Sequence, residues 1–63
     1  MFNIKQYREK AGLTQEQLAK RVGITSVYLC YLENGQKKNP SISLLKKIAI
    51  ELNVDIGDLL DIA

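Results

Sequence analysis

TQEQLAKRVGITSVYLCYLENG, running from Thr14 to Gly35, decides the fold. Thr14 followed by Gln17 has the spacing of a capping box, in which a hydroxyl and a side-chain amide satisfy two free N–H groups at a helix start. Gly23 stands where that helix must stop, because glycine takes the left-handed conformation there without a steric cost. Thr25 is a good N-cap for a second helix, and Gly35 closes it. Gln15, Ala19, Gly23 and Leu29 add the spacing Q-x3-A-x3-G-x5-L. Ala19 is small where the first of the two helices must pass close to the second, and Leu29 anchors the second beneath the first. Two unrelated helices of a bundle would show one or two of these features; the full set specifies a helix-turn-helix.

The same local grammar extends outward. Phe2-Asn3 with Tyr7, Leu13-Thr14 with Leu18, Ile24-Thr25 with Leu29, and Val54-Asp55 with Leu59 each place an apolar residue before a cap and another four residues after it. That is the spacing of a hydrophobic staple. Pro40-Ser41 with Leu45 is a looser case. Gly12, Gly23, Gly35 and Asn53 supply stops. The expected helices lie near 3–11, 15–22, 26–34, 42–52 and 56–61, and no segment alternates as a strand does. The expected fold class is therefore all-α, with residues 1–63 forming one five-helix domain. Apolar positions at helical period are Ile4, Tyr7 and Ala11, then Leu18, Ala19 and Val22, then Tyr28, Leu29 and Leu32. The fourth helix is the most apolar, with Ile42, Leu44, Leu45, Ile48, Ala49 and Leu52, and is expected to be the central packing element. The fifth, carrying Gly57 in its first turn, should be the weakest unless Ile56, Leu60 or Ile62 is covered.

Composition excludes several functions. A chain of 63 residues buries only about 60% of its unfolded surface, so a deep catalytic pocket is hard to build. The chain has no histidine and a single cysteine, Cys30. The usual general base, the commonest metal ligand and any internal disulfide are therefore missing. An enzyme, a metal site and a cofactor are not expected. No apolar run approaches the ~18 residues of a membrane span, and MFNIKQYREK lacks the apolar stretch of a signal peptide, so the expected location is cytoplasmic. The net charge of +2 is unevenly spread. Residues 1–47 hold all nine Lys and Arg against three Glu, giving +6, while residues 48–63 hold four acidic residues and no base, giving −4. Two readings suit that asymmetry: a solvated surface with uneven charge, or a polyanion facing the first three quarters of the chain with the tail turned away.

Helical period turns Leu29 and Leu32 inward with Tyr28 and leaves Ser26, Val27, Cys30 and Tyr31 outward. Val27 can meet a thymine methyl, and Ser26 can donate or accept with little discrimination. Tyr31 is the best candidate for a base or sugar-edge contact. Phosphate contacts are expected from the N-terminus of the helix opened by Thr14, where Gln15 adds an amide, and from Thr25. The polar loop of Gln36, Lys37, Lys38 and Asn39 adds to them.

These features, with Arg8, AGLTQEQLA (Ala11 to Ala19), VGIT (Val22 to Thr25), LENG (Leu32 to Gly35), Pro40-Ser41, IAIELNV (Ile48 to Val54) and DLL (Asp58 to Leu60), carry a family resemblance. The chain resembles the Cro/repressor-type helix-turn-helix domains of lambdoid phages and the wider xenobiotic-response-element-type regulators. The resemblance covers essentially the whole chain. It implies a compact lambda repressor-like domain that binds double-stranded DNA, with the third helix in the major groove and the Gly35–Pro40 loop on the backbone. It also implies a buried ion pair between Arg8 and Glu33, and a homodimer on a pseudo-palindromic operator with Ile56, Leu60 and Ile62 at the subunit contact. The sequence departs from the family early in the third helix, where Ser26 and Val27 stand instead of an amide or basic residue. The expected function is transcriptional regulation, as a repressor. The alternatives are an antitoxin or restriction-modification controller with the same DNA contacts, and a protein-interaction module that keeps the fold and does not bind DNA.

Overall fold

A computed structural model describes residues 2–36 and 40–60. Five helices follow in order: α1 Ile4–Lys10, α2 Gln15–Val22, α3 Ser26–Glu33, α4 Ile42–Leu52 and α5 Ile56–Leu60. No strand occurs among the described residues.

The junctions explain how five helices fit into so short a chain. Leu13, Ile24, Gln36 and Val54 each donate a backbone N–H to the carbonyl five residues earlier, at 3.1, 3.0, 2.9 and 3.0 Å. These bonds follow the left-handed residues Gly12, Gly23, Gly35 and Asn53, and they satisfy carbonyls that a helix end leaves free. Leu13, Ile24 and Val54 are half-buried against the core. They close one helix and, as the residue before Thr14, Thr25 or Asp55, staple the start of the next. One apolar side chain thus serves both ends of a junction. Gln36 is exposed, and there the connection to α4 lengthens.

The caps are local and explicit. Thr14 Oγ1 accepts from Gln17 N–H at 3.1 Å, and Gln17 Oε1 accepts from Thr14 N–H at 2.9 Å. Thr25 Oγ1 accepts from Tyr28 N–H and Ser41 Oγ from Leu44 N–H. Asn3 differs from the sequence expectation. It precedes α1 but makes no side-chain cap; its Nδ2 donates to the Asp58 carbonyl at 3.2 Å and its N–H to the Leu59 carbonyl at 2.8 Å. The start of the chain is thereby tied to α5.

Ile4, Leu18, Leu29, Leu32, Ile48 and Leu59 are fully buried. α2 packs on both α3 and α4, and α4 in turn on α1 and α5. Burying a side chain such as Leu59 contributes about 1.5–3 kcal/mol, which gives the short α5 an anchor. Two apolar positions lie outside the core, contrary to the periodic reading. Ala11 caps the end of α1 and is exposed, and Ile42, the first residue of α4, is 57% exposed. Terminal turns have neighbours on fewer sides, so a helical period alone overstates their burial.

Candidate nucleic-acid interface

Helix α3 is divided lengthwise. Leu29 and Leu32 are sealed into the core and Tyr28 is half-buried against it. On the opposite side, Val27 is 57% exposed and Tyr31 40%. Asn34, the C-cap of α3, is also exposed and lies seven residues after Val27. At 3.6 residues per turn, Val27, Tyr31 and Asn34 form one stripe along the helix. Cys30 borders it, half-buried, with Asn34 Nδ2 donating to its Sγ at 3.4 Å. Ser26 lies at the edge of the stripe and is half-buried. Asn34 lies beyond the outward set of Ser26, Val27, Cys30 and Tyr31 that helical period picks out within the helix; the Val27 + 7 spacing is the signal that finds it.

The end of α3 turns away from solvent. Glu33 and Arg8 are both buried, at 7% and 8% exposure. Arg8 Nε donates to Glu33 Oε2 at 2.6 Å and Arg8 Nη2 to Oε1 at 3.2 Å, while Arg8 Nη1 donates to the Leu13 carbonyl at 2.8 Å. The hydrogen bond to Glu33 holds the Arg8 guanidinium above its ordinary range, against the opposing effect of burial. A raised folded-state value contributes stability that is fully present below the unfolded value and lost only as pH rises through the folded one. For arginine that window lies far above neutrality, so the pair keeps its cation throughout the neutral range.

Gln15 joins this network. Its Nε2 donates to Glu33 Oε1 at 2.8 Å, so Glu33 fixes the amide that opens α2. One Nε2 hydrogen and the carbonyl oxygen are left over. The backbone N–H groups of Gln15 and Glu16, in the first turn of α2, have no partner within the helix. Thr25 uses its oxygen as the cap of α3, is exposed, and retains its hydroxyl proton. Gln36 is exposed. Lys37, Lys38, Asn39 and Ile62 lie outside the described residues. Ile56 is half-buried against the core and Leu60 is half-buried.

Among the described residues no three His, Cys, Asp or Glu stand together as a metal site, and no helix is long and apolar enough to cross a membrane. Every buried side-chain nitrogen and oxygen among them has a partner.

An exposed stripe on α3, a capped α2 packed on that helix without covering the stripe, and an ion pair locking the end of α3 define a helix-turn-helix domain. Residues 4–59 match the Helix-turn-helix family, and the chain belongs to it, as a domain of the Cro/repressor type. An uncharacterized HTH-type transcriptional regulator of Archaeoglobus fulgidus is 48% identical over 56 residues, covering 89% of this chain and 79% of that protein. The HTH-type transcriptional regulator SinR of Bacillus subtilis is 40% identical over 58 residues, covering 92% of this chain and 52% of SinR. The chain therefore spans about half the length of SinR. Among solved structures, SinR, the master regulator for biofilm formation, in complex with DNA superposes with a TM-score of 0.85 at 40% identity, covering 92% of both chains. The clp gene regulator ClgR from C. glutamicum gives a TM-score of 0.79 at 30% identity, covering 90% of this chain and 73% of that one. Proteins of this kind are regulators and not enzymes.

Proposed function

We infer that this chain is a sequence-specific double-stranded DNA-binding transcriptional regulator, acting in the cytoplasm as a repressor. Its α3 enters the major groove with Val27 and Tyr31 toward base edges and Ser26 at the flank. Phosphates are held by the first turn of α2 with Gln15, by Thr25, and by the loop of Gln36, Lys37, Lys38 and Asn39. The observation that carries this reading is the lengthwise division of α3: a short helix sealed on one side by Leu29 and Leu32 exposes an aliphatic, an aromatic and an amide in line on the other. The fold it shares with SinR, solved in complex with DNA, supports the same role.

One domain of this size makes few base contacts, so the bound form is a homodimer on a pseudo-palindromic operator, drawing on the apolar α5 residues Ile56 and Leu60. Selection of bound duplexes from a random pool tests the reading. Two inverted half-sites one helical turn apart are the expected product. Affinity for the selected duplex should fall steeply with salt, with a log–log slope of about −0.9 per phosphate contact. Failure to enrich any duplex at low salt would sink the proposal and favour a protein partner for the Val27–Tyr31 face.

A further inference from the structure

The most exposed large apolar side chain among the described residues is Ile50, at 77%. A single exposed aliphatic is ordinary. Ile50 differs in its setting. It lines a groove of about 420 Å³ between the end of α2 and α4, together with the buried Val22 and with Lys20, Arg21, Lys47 and Glu51. These four charged residues are exposed, and three cations against one carboxylate give the groove a net +2 at neutral pH. Arg21 and Glu51 meet at 3.8 Å, so Lys20 and Lys47 supply the excess. The end of α2 adds acceptors. Gly23 and Ile24 both donate their N–H to the Ala19 carbonyl, at 2.9 and 3.0 Å. The helix has no later N–H to give to the carbonyls of Lys20, Arg21 and Val22. Gly23 has open space where a Cβ would stand, so another backbone can come close to them.

We propose that this groove docks an acidic segment of another protein, one that carries an aliphatic or aromatic side chain among its carboxylates. The carboxylates answer Lys20 and Lys47, and the apolar side chain covers Ile50. Backbone N–H groups of the segment reach the carbonyls at the end of α2. A DNA backbone answers the lysines alone, since phosphates neither donate to carbonyls nor cover an aliphatic. A basic segment meets like charge. None of the groove residues belongs to the α3 stripe or to the first turn of α2, so the segment is held while α3 lies on a duplex. The regulator thereby brings a second protein to the site it occupies. A short segment on one groove buries less than a standard interface does, so the contact is weak and sensitive to salt.

A random-peptide pool displayed on phage, selected at low salt against the 63-residue chain, is the probe. Enriched peptides should combine aspartate or glutamate with leucine, isoleucine or phenylalanine. Fluorescence anisotropy with one of them should show Ile50→Gln and Lys47→Glu each weakening binding by about tenfold or more. Ile42→Gln, at an exposed position two turns earlier on the same helix, should change nothing. Lys20→Glu combined with Lys47→Glu should select basic peptides instead. No enrichment of acidic peptides, or acidic peptides that bind Ile50→Gln as well as the parent, overturns the proposal. So does a shallower salt dependence of duplex binding in Lys47→Glu, which makes the groove a phosphate contact. A lighter species than the parent in sedimentation of Ile50→Gln also overturns it, by making a second copy the occupant. The DNA reading fails separately: a chain that binds acidic peptides through Ile50 and enriches no duplex loses that reading and keeps this surface.

Discussion

Arg8 and Glu33 meet fork to fork inside the domain, with Arg8 Nε 2.6 Å from Oε2 and Nη2 3.2 Å from Oε1. The pair joins α1 to the end of α3, and the third Arg8 bond, to the Leu13 carbonyl, adds the turn that leads into α2. The desolvation of two charges offsets much of their attraction, so the pair's net contribution is small; removing one partner leaves the other buried and unpaired. Glu33→Ala is expected to lower unfolding free energy by about 3–5 kcal/mol. The double change Arg8→Met with Glu33→Leu should recover most of that loss. Urea denaturation of the parent and the two variants decides the matter, and a Glu33→Ala midpoint equal to that of the parent would refute the architectural role.

Gln15 separates architecture from binding. Its bond to Glu33 is made on the rim of the buried pair, where Gln15 is half-buried. Losing one such bond costs roughly 0.5–1.5 kcal/mol. Gln15→Ala should therefore fold, melt a few degrees lower and bind duplex more weakly. Gln15→Glu brings a second carboxylate to Glu33 and to the phosphate position. It should lose more stability than Gln15→Ala and nearly all duplex binding. Thermal melting and fluorescence anisotropy on the same samples separate the two effects; equal affinities for parent and Gln15→Glu would remove Gln15 from the phosphate contacts.

What could be read from the sequence was local. Thr14 and Gln17 are three residues apart, so their reciprocal bonds follow from residue type and spacing alone. Helix starts and stops were legible for the same reason. The Gln15–Glu33 bond spans 18 positions, and its geometry depends on how α2 crosses the end of α3, which no local pattern encodes. Ile42 was equally opaque. On a helix with six isoleucines and leucines (Ile42, Leu44, Leu45, Ile48, Ile50 and Leu52), period cannot say which apolar face the rest of the chain leaves uncovered. Asn34 was legible in principle, as the third member of the Val27–Tyr31 line.

Two glycines make opposite predictions. Gly23 has φ +81° and open space where a Cβ would go. The cost of Gly23→Ala is then purely conformational, about 1–2 kcal/mol. Gly57 also has open space, but no positive φ, and it lies within α5. There alanine reduces the freedom of the unfolded chain without strain, so Gly57→Ala should stabilise by about 0.5–1 kcal/mol. Opposite shifts of the thermal midpoint are expected. A stabilising Gly23→Ala would mean that the turn can be rebuilt without its left-handed residue.

Val27 allows the reading face to be tested at the level of a methyl group. Its side chain has no donor or acceptor, so the one base-edge feature it can recognise in the major groove is the thymine C5-methyl. Val27→Ala removes two methyl groups, worth up to ~1.6 kcal/mol at ~0.8 kcal/mol each, or about fifteenfold in affinity. Replacing the contacted thymine by uracil removes the partner instead. If the two groups meet, the losses are not additive: Val27→Ala should cost little on the uracil duplex, and uracil should cost little to the Val27→Ala protein. Val27→Gln should shift preference at the same base pair toward adenine, whose N6 and N7 an amide can pair with. Its salt slope should not change, because no phosphate contact is altered. Titrations of parent and variants against the thymine, uracil and substituted duplexes measure all of these quantities. Additive losses across the cycle would place Val27 away from the base edge and leave Tyr31 and Asn34 to carry the readout.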